Sequence, residues 1–174
     1  MNLPTWITVS RLLGAPIILY GLHQSGQVWQ WISLVVFLLA AATDWLDGYL
    51  ARRLNQITDL GKFLDPLVDK LLVMAPLLAL VERGTVPAWG VFLILARELT
   101  IAGWRVSPAL QSGNAIQGAN QWGKLKTISQ MAAIALLIAP VSEPGQHWGV
   151  ILFWVSVGLT WVSGMIYLWP TTTL

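Results

Sequence analysis

Six apolar runs fill most of this chain, at 7–23, 29–51, 60–81, 87–105, 124–140 and 147–169. A helix that crosses a bilayer needs about 20 mostly apolar residues, so each run is long enough for one span. Backbone amides surrounded by lipid must bond within their own segment, which leaves the α-helix as the form these runs can take. The gaps between them hold helix breakers: "QSGQ" at 24–27, "ERGTVP" at 82–87 and "SEPGQ" at 142–146. The longest gap, "VSPALQSGNAIQGANQWG" at 106–123, reads as an exposed loop. The expected fold is all-α, a polytopic membrane protein with six transmembrane helices in a single domain over 1–174. Pro4 and Trp6 read as a short interfacial segment leading into the first helix.

Composition points the same way. Of 174 residues, 56% are hydrophobic and 10% charged, whereas a soluble domain carries about 25% charged residues. The 11 Trp suit the headgroup boundary, where an indole keeps one edge wet and its body apolar. The absence of Cys excludes a disulfide framework, a thiolate metal site and a cysteine nucleophile. A net charge of +2 is too small to argue for nucleic acid as a partner. No cleavable signal peptide is expected, since the opening lacks a basic n-region. Placing the N-terminus in the cytoplasm gathers Arg11, Arg52, Arg53, Lys62, Arg105, Lys124 and Lys126 on that side and leaves Arg83 opposite. That bias sets the expected orientation.

Against this background, "DWLDGYLARRLNQITDLGKFLDPLVD" at 44–69 holds five of the eight acidic residues. Ionised side chains at membrane depth cost several kcal/mol and are usually functional. Asp44 and Asp47 lie near the end of the second helix, Asp65 and Asp69 near the start of the third. At about 100° per residue each pair occupies one helix face. If the two helices are antiparallel neighbours joined by the 52–59 turn, the faces converge. Four carboxylates in a partly dry site repel one another, and one or two divalent cations resolve that repulsion. Oxygen-only ligands suit Mg²⁺ or Mn²⁺. Gly48, Ala51 and Gly61 leave a slot beside the acids, and Arg52 and Lys62 put cations at its mouth. Asp59 reads instead as a cap for the third helix. Metal-assisted phosphoryl chemistry is the reading these residue types support.

The string Asp44-x2-Asp47-Gly48-x2-Ala51-Arg52-x8-Gly61-x3-Asp65-x3-Asp69 resembles the signature of the CDP-alcohol phosphotransferase family at every position. That resemblance implies a six-helix membrane enzyme, a homodimer, that moves a phosphatidyl or related group from a CDP-linked donor to an alcohol and releases CMP. It implies that Asp44, Asp47, Asp65 and Asp69 hold two metal ions, Mg²⁺ or Mn²⁺. It also implies that Asp69 is the general base and that Gly48, Ala51, Arg52 and Gly61 form the cytidine diphosphate pocket.

Outside the signature, Arg97 and Arg105 lie eight residues apart in "ARELTIAGWRV", and Lys124 and Lys126 open "GKLKTISQ". Together they suggest an anion pocket for an acceptor phosphate. Singly they read as an ion-pair network with Glu98 or Glu82, or as positive-inside anchors. "NLPTWITVSR", "RELTIAGWR" and "GKLKTISQ" resemble the branch of the family whose donor is CDP-diacylglycerol and whose acceptor is sn-glycerol 3-phosphate. That resemblance implies a bacterial inner membrane with the active site facing the cytoplasm. Asn2, Thr8 and Arg11 would then contact the donor headgroup, with helix capping the other role open to Thr8. A sister transferase using inositol phosphate, serine or phosphatidylglycerol is the rival enzyme. A divalent-cation channel or transporter explains the four acids but leaves Gly48, Ala51, Arg52 and Gly61 without a purpose.

Overall fold

The computed structural model of the protein describes the backbone of residues 3–54, 59–106 and 121–168, and the side chains of 10–43, 67–104 and 122–166. These residues form six helices: α1 Leu3–His23, α2 Gln27–Leu54, α3 Asp59–Glu82, α4 Ala88–Val106, α5 Gln121–Ile138 and α6 Glu143–Leu168. No strand occurs among the described residues. Each helix overlaps most of one of the six apolar runs.

Three boundaries differ from the sequence expectation. α1 runs unbroken from Leu3, so Pro4, Trp6 and Thr8 lie within it rather than in a separate lead-in or at a cap. Proline lacks the N–H that a first helical turn leaves unbonded, so Pro4 starts the helix at no cost. For the same reason "SEPGQ" is the start of α6 and not a loop. The Ser142 carbonyl accepts from the N–H of Gly145 at 2.8 Å and of Gln146 at 3.3 Å, and Glu143 suits the positive helix end. α5 begins at Gln121, so only 107–120 of the expected loop is left between helices, and it lies outside the described residues.

The α3–α4 turn shows how the breakers act. Thr85 donates its N–H to the Leu80 carbonyl and Gly84 to that of Val81, both at 2.9 Å. This is the Schellman pattern, which needs a left-handed residue after the last helical one. Gly84 supplies it at φ 68°.

Side-chain contacts fix the helix directions. Gly21 lies against Ser33 and Gly14 against Val36, so α2 returns antiparallel along α1. Arg11 meets Asp69 and His23 meets Glu82, so α3 runs parallel to α1. Gly149 packs on Leu137, which makes α5 and α6 an antiparallel hairpin. The Gln146 amide closes it by donating to the Ala139 carbonyl at 3.2 Å. Gly90 against Phe153 and Arg97 against Ser163 set α4 parallel to α6. Direction alternates along the chain, with α1 packed on both α2 and α3. The shared core includes Ile18, Phe37, Leu77, Ile94, Ile134 and Phe153.

Among the described residues one stretch, Glu143–Ile166 with mean hydropathy 1.8, is by itself long and apolar enough to cross a bilayer. Within α2 the described residues include the apolar stretch Gln27–Thr43. The described parts of α1, α3, α4 and α5 carry charged residues among their apolar ones.

Gly90 gives a direct check on the packing. A methyl added there meets the Phe153 ring at 2.8 and 2.9 Å, and that ring is buried beside Trp154. Gly90→Ala is therefore expected to cost about 1–3 kcal/mol through overpacking. The thermal midpoint in detergent should fall by roughly 2–10 °C for a chain of this size. An unchanged midpoint would mean that α4 and α6 do not pack as described.

Candidate active site

Helix register brings the acidic positions to one level. Asp44, Asp47, Gly48, Ala51 and Arg52 sit in the last turns of α2, and Gly61, Asp65 and Asp69 in the first turns of α3. Continuing the antiparallel register of α2 along α1 places positions 44 and 47 opposite the first turns of α1. The parallel register of α3 brings position 65 to that same level, one turn before Asp69. Except for Asp69, the side chains of these residues lie outside the described ones. Asp59 is the first residue of α3, and its side chain also lies outside the described ones.

Asp69 has a defined partner. Nη1 of Arg11 donates to its Oδ1 at 3.1 Å, across 58 residues of sequence. The Arg11 side chain is 2% exposed and that of Asp69 48%. A buried cation therefore holds a carboxylate that stays open to the outside. The expected contact of Arg11 with a donor headgroup has no such opening to use.

A second polar group is built by α4, α5 and α6. Glu98 pairs with Arg97 at 3.0 Å and also with Lys126. Nη2 of Arg97 donates to Oγ of Ser163 at 2.9 Å, and Ser163 donates in turn to the Thr160 carbonyl at 3.0 Å. Gly164 makes room for this arrangement, because a Cβ there would meet the Arg97 Cγ at 3.2 Å. The side chains of Arg97, Glu98 and Lys126 are 13%, 19% and 11% exposed, so the cluster is largely shielded. Two cations around one carboxylate leave one positive charge in excess, which suits an anion. Lys70, next to Asp69 on α3, interacts electrostatically with both Glu98 and Lys126.

Of the four expected acceptor residues, the structure brings Arg97 and Lys126 together. Lys124 is exposed on α5, and residues two apart on a helix do not share a face. The side chain of Arg105 lies outside the described residues. Sequence reasoning did not assign Ser163 or Gly164 to the site. The available signal was the series of small polar residues Ser156, Thr160 and Ser163 at helical spacing in α6.

The oxygen-only donor set at the acidic level fits a hard divalent cation. Among the described residues no group of three His, Cys, Asp or Glu is assembled, since one of the four aspartates is among them.

The described residues form six helices, with the aspartate positions on α2 and α3 and the Arg97–Glu98–Lys126 cluster on α4 and α5. The profile of the CDP-alcohol phosphatidyltransferases matches residues 1–162, and the chain belongs to that family. Its relatives include a Bacillus subtilis (strain 168) protein named CDP-diacylglycerol–glycerol-3-phosphate 3-phosphatidyltransferase, 38% identical across 95% of this chain and 93% of that one. A Pseudomonas fluorescens protein of the same name is 40% identical over 97% of this chain and 86% of its own. A cardiolipin synthase (CMP-forming) from Oryza sativa subsp. japonica is 33% identical over 97% of this chain and 56% of its own length.

Proposed function

We propose that this protein is a CDP-diacylglycerol–glycerol-3-phosphate 3-phosphatidyltransferase, an enzyme of phospholipid biosynthesis. The observation that carries this reading is the near full-length similarity to bacterial relatives of that name. Membership of a transferase family leaves the channel reading without support. In the reaction, a hydroxyl oxygen of glycerol 3-phosphate attacks the phosphorus that carries diacylglycerol. The bond from that phosphorus to the bridging oxygen breaks, and CMP leaves with the bond's electrons.

Each group in the chain has a part. Asp69 accepts the proton of the attacking hydroxyl, for which it needs an exposed and ionised carboxylate. Asp44, Asp47, Asp65 and Asp69 hold the divalent ions, two Mg²⁺ or Mn²⁺. When bound, a divalent cation neutralises charge on the diphosphate and on departing CMP. Gly48, Ala51, Arg52 and Gly61 receive the cytidine diphosphate. Arg97 and Lys126 attract the acceptor phosphate, with Arg105 and Lys124 at the rim.

All six helices cross the membrane in this reading. Large apolar side chains stay exposed on every helix, among them Leu13, Leu39, Leu78, Phe92, Ile128 and Met165. So much exposed apolar surface fits lipid rather than water. The donor's acyl chains remain in the bilayer of a bacterial inner membrane, where the enzyme works as a homodimer. The charged level faces the cytoplasm, and Arg83 follows the opposite end of α3.

An acceptor panel tests the reading. CMP release from CDP-diacylglycerol is expected to run at least roughly tenfold faster with glycerol 3-phosphate than with serine, inositol phosphate or phosphatidylglycerol. The cardiolipin synthase relative favours one rival. If phosphatidylglycerol is the best acceptor, that rival replaces the proposal.

A further inference from the structure

We propose that Arg11 is a positioning residue for Asp69, an inference that rests on the reading of Asp69 as the proton acceptor. A long arginine at the edge of an apolar helix ordinarily turns its head outward to water or headgroups. Arg11 does the reverse. Its side chain is 2% exposed, and its Nη1 ends 3.1 Å from the Asp69 Oδ1. An anchoring or headgroup-binding guanidinium needs to be reachable, and this one is not.

The geometry assigns the contact a specific consequence. An aspartate has two side-chain torsions, and a donor on one oxygen narrows the directions its carboxylate takes. The donor is buried, while the carboxylate it holds remains half exposed. A proton acceptor works only within hydrogen-bond reach of its target. A displacement of about 1 Å is enough to cost about 10²-fold in rate.

A purely structural tie explains the pair less well. α1 and α3 already contribute Ile18, Leu22, Leu72 and Leu77 to one apolar core. They are joined again at their far ends by the exposed His23–Glu82 pair at 3.4 Å. An ion pair with one partner half exposed is a weak way to add stability, since water screens its attraction. A charge retained at this depth therefore points to the work of the group it holds.

The test uses the full-length enzyme in detergent with CDP-diacylglycerol and glycerol 3-phosphate. Arg11→Gln, Arg11→Lys and Asp69→Asn are compared for kcat, both KM values and thermal midpoint. Arg11→Gln is expected to lower kcat by about 10–100-fold with both KM values within about twofold. Its midpoint should stay within about 3 °C of the parent, a shift of roughly 1 kcal/mol. Arg11→Lys, which keeps a donor and a charge, should recover at least about fivefold of that loss. A raised KM for the lipid donor with kcat intact would make Arg11 a headgroup contact and overturn the proposal. So would a midpoint that collapses in both Arg11 variants, or a kcat within about twofold of the parent in Arg11→Gln. Should Asp69→Asn be inactive while Arg11→Gln is normal, only the positioning role fails. Should Asp69→Asn itself turn over normally, the reading beneath it fails as well.

Discussion

Asp69→Asn is expected to lower CMP release by about 10³-fold or more, within the span that loss of a general base that also holds metal would produce. The amide oxygen still accepts a hydrogen bond from Arg11, so α1 and α3 stay joined where the native contact is 3.1 Å. What disappears is the negative charge and the capacity to take a proton. Because the carboxylate is 48% exposed, the exchange leaves little newly buried polar surface, and the thermal midpoint should move only slightly. Steady-state CMP release and a detergent melting curve check both halves. A variant that turns over at more than about a tenth of the parental rate would remove Asp69 from the chemistry.

Chelation is the second large effect. Dialysis against excess EDTA should bring CMP release to background, and either Mg²⁺ or Mn²⁺ should restore it. The cause is electrostatic. Helix register sets positions 44, 47, 65 and 69 at one level, and without cations their charges repel one another. Metal binding should therefore also stabilise the fold. An ion present at about 100 times its dissociation constant adds about 2.7 kcal/mol, so the midpoint should rise with added Mg²⁺ in the absence of any substrate. Full activity in EDTA, with no change of midpoint, would contradict the metal assignment.

Much of the fold was legible because apolar runs of this length have few alternatives. All six runs became helices, and the Gly84 turn fell where the breakers lay. Boundaries were less legible, since Pro144 and Gly145 start a helix as readily as they interrupt one. The spacing of the four aspartates was readable because position along one helix fixes relative angle. Contacts between helices distant in sequence were not. Arg11 and Asp69 are 58 residues apart, and Arg97 and Ser163 are 66 apart. Local periodicity says nothing about which face of α1 meets α3. The pairing of Glu98 with both Arg97 and Lys126 depends in the same way on how α4 and α5 cross. An ion-pair network there was one of two readings open to the sequence, and only the packing brought its members together.

The central claim is that cations held at the α2–α3 level grip the diphosphate of a nucleotide-activated lipid. Anomalous diffraction from crystals grown with Mn²⁺ and CDP-diacylglycerol measures this directly. The account predicts manganese peaks bounded by Asp44, Asp47, Asp65 and Asp69, in contact with the diphosphate oxygens. Manganese at Glu98 alone, or a diphosphate bound with no ion between it and the aspartates, would contradict it.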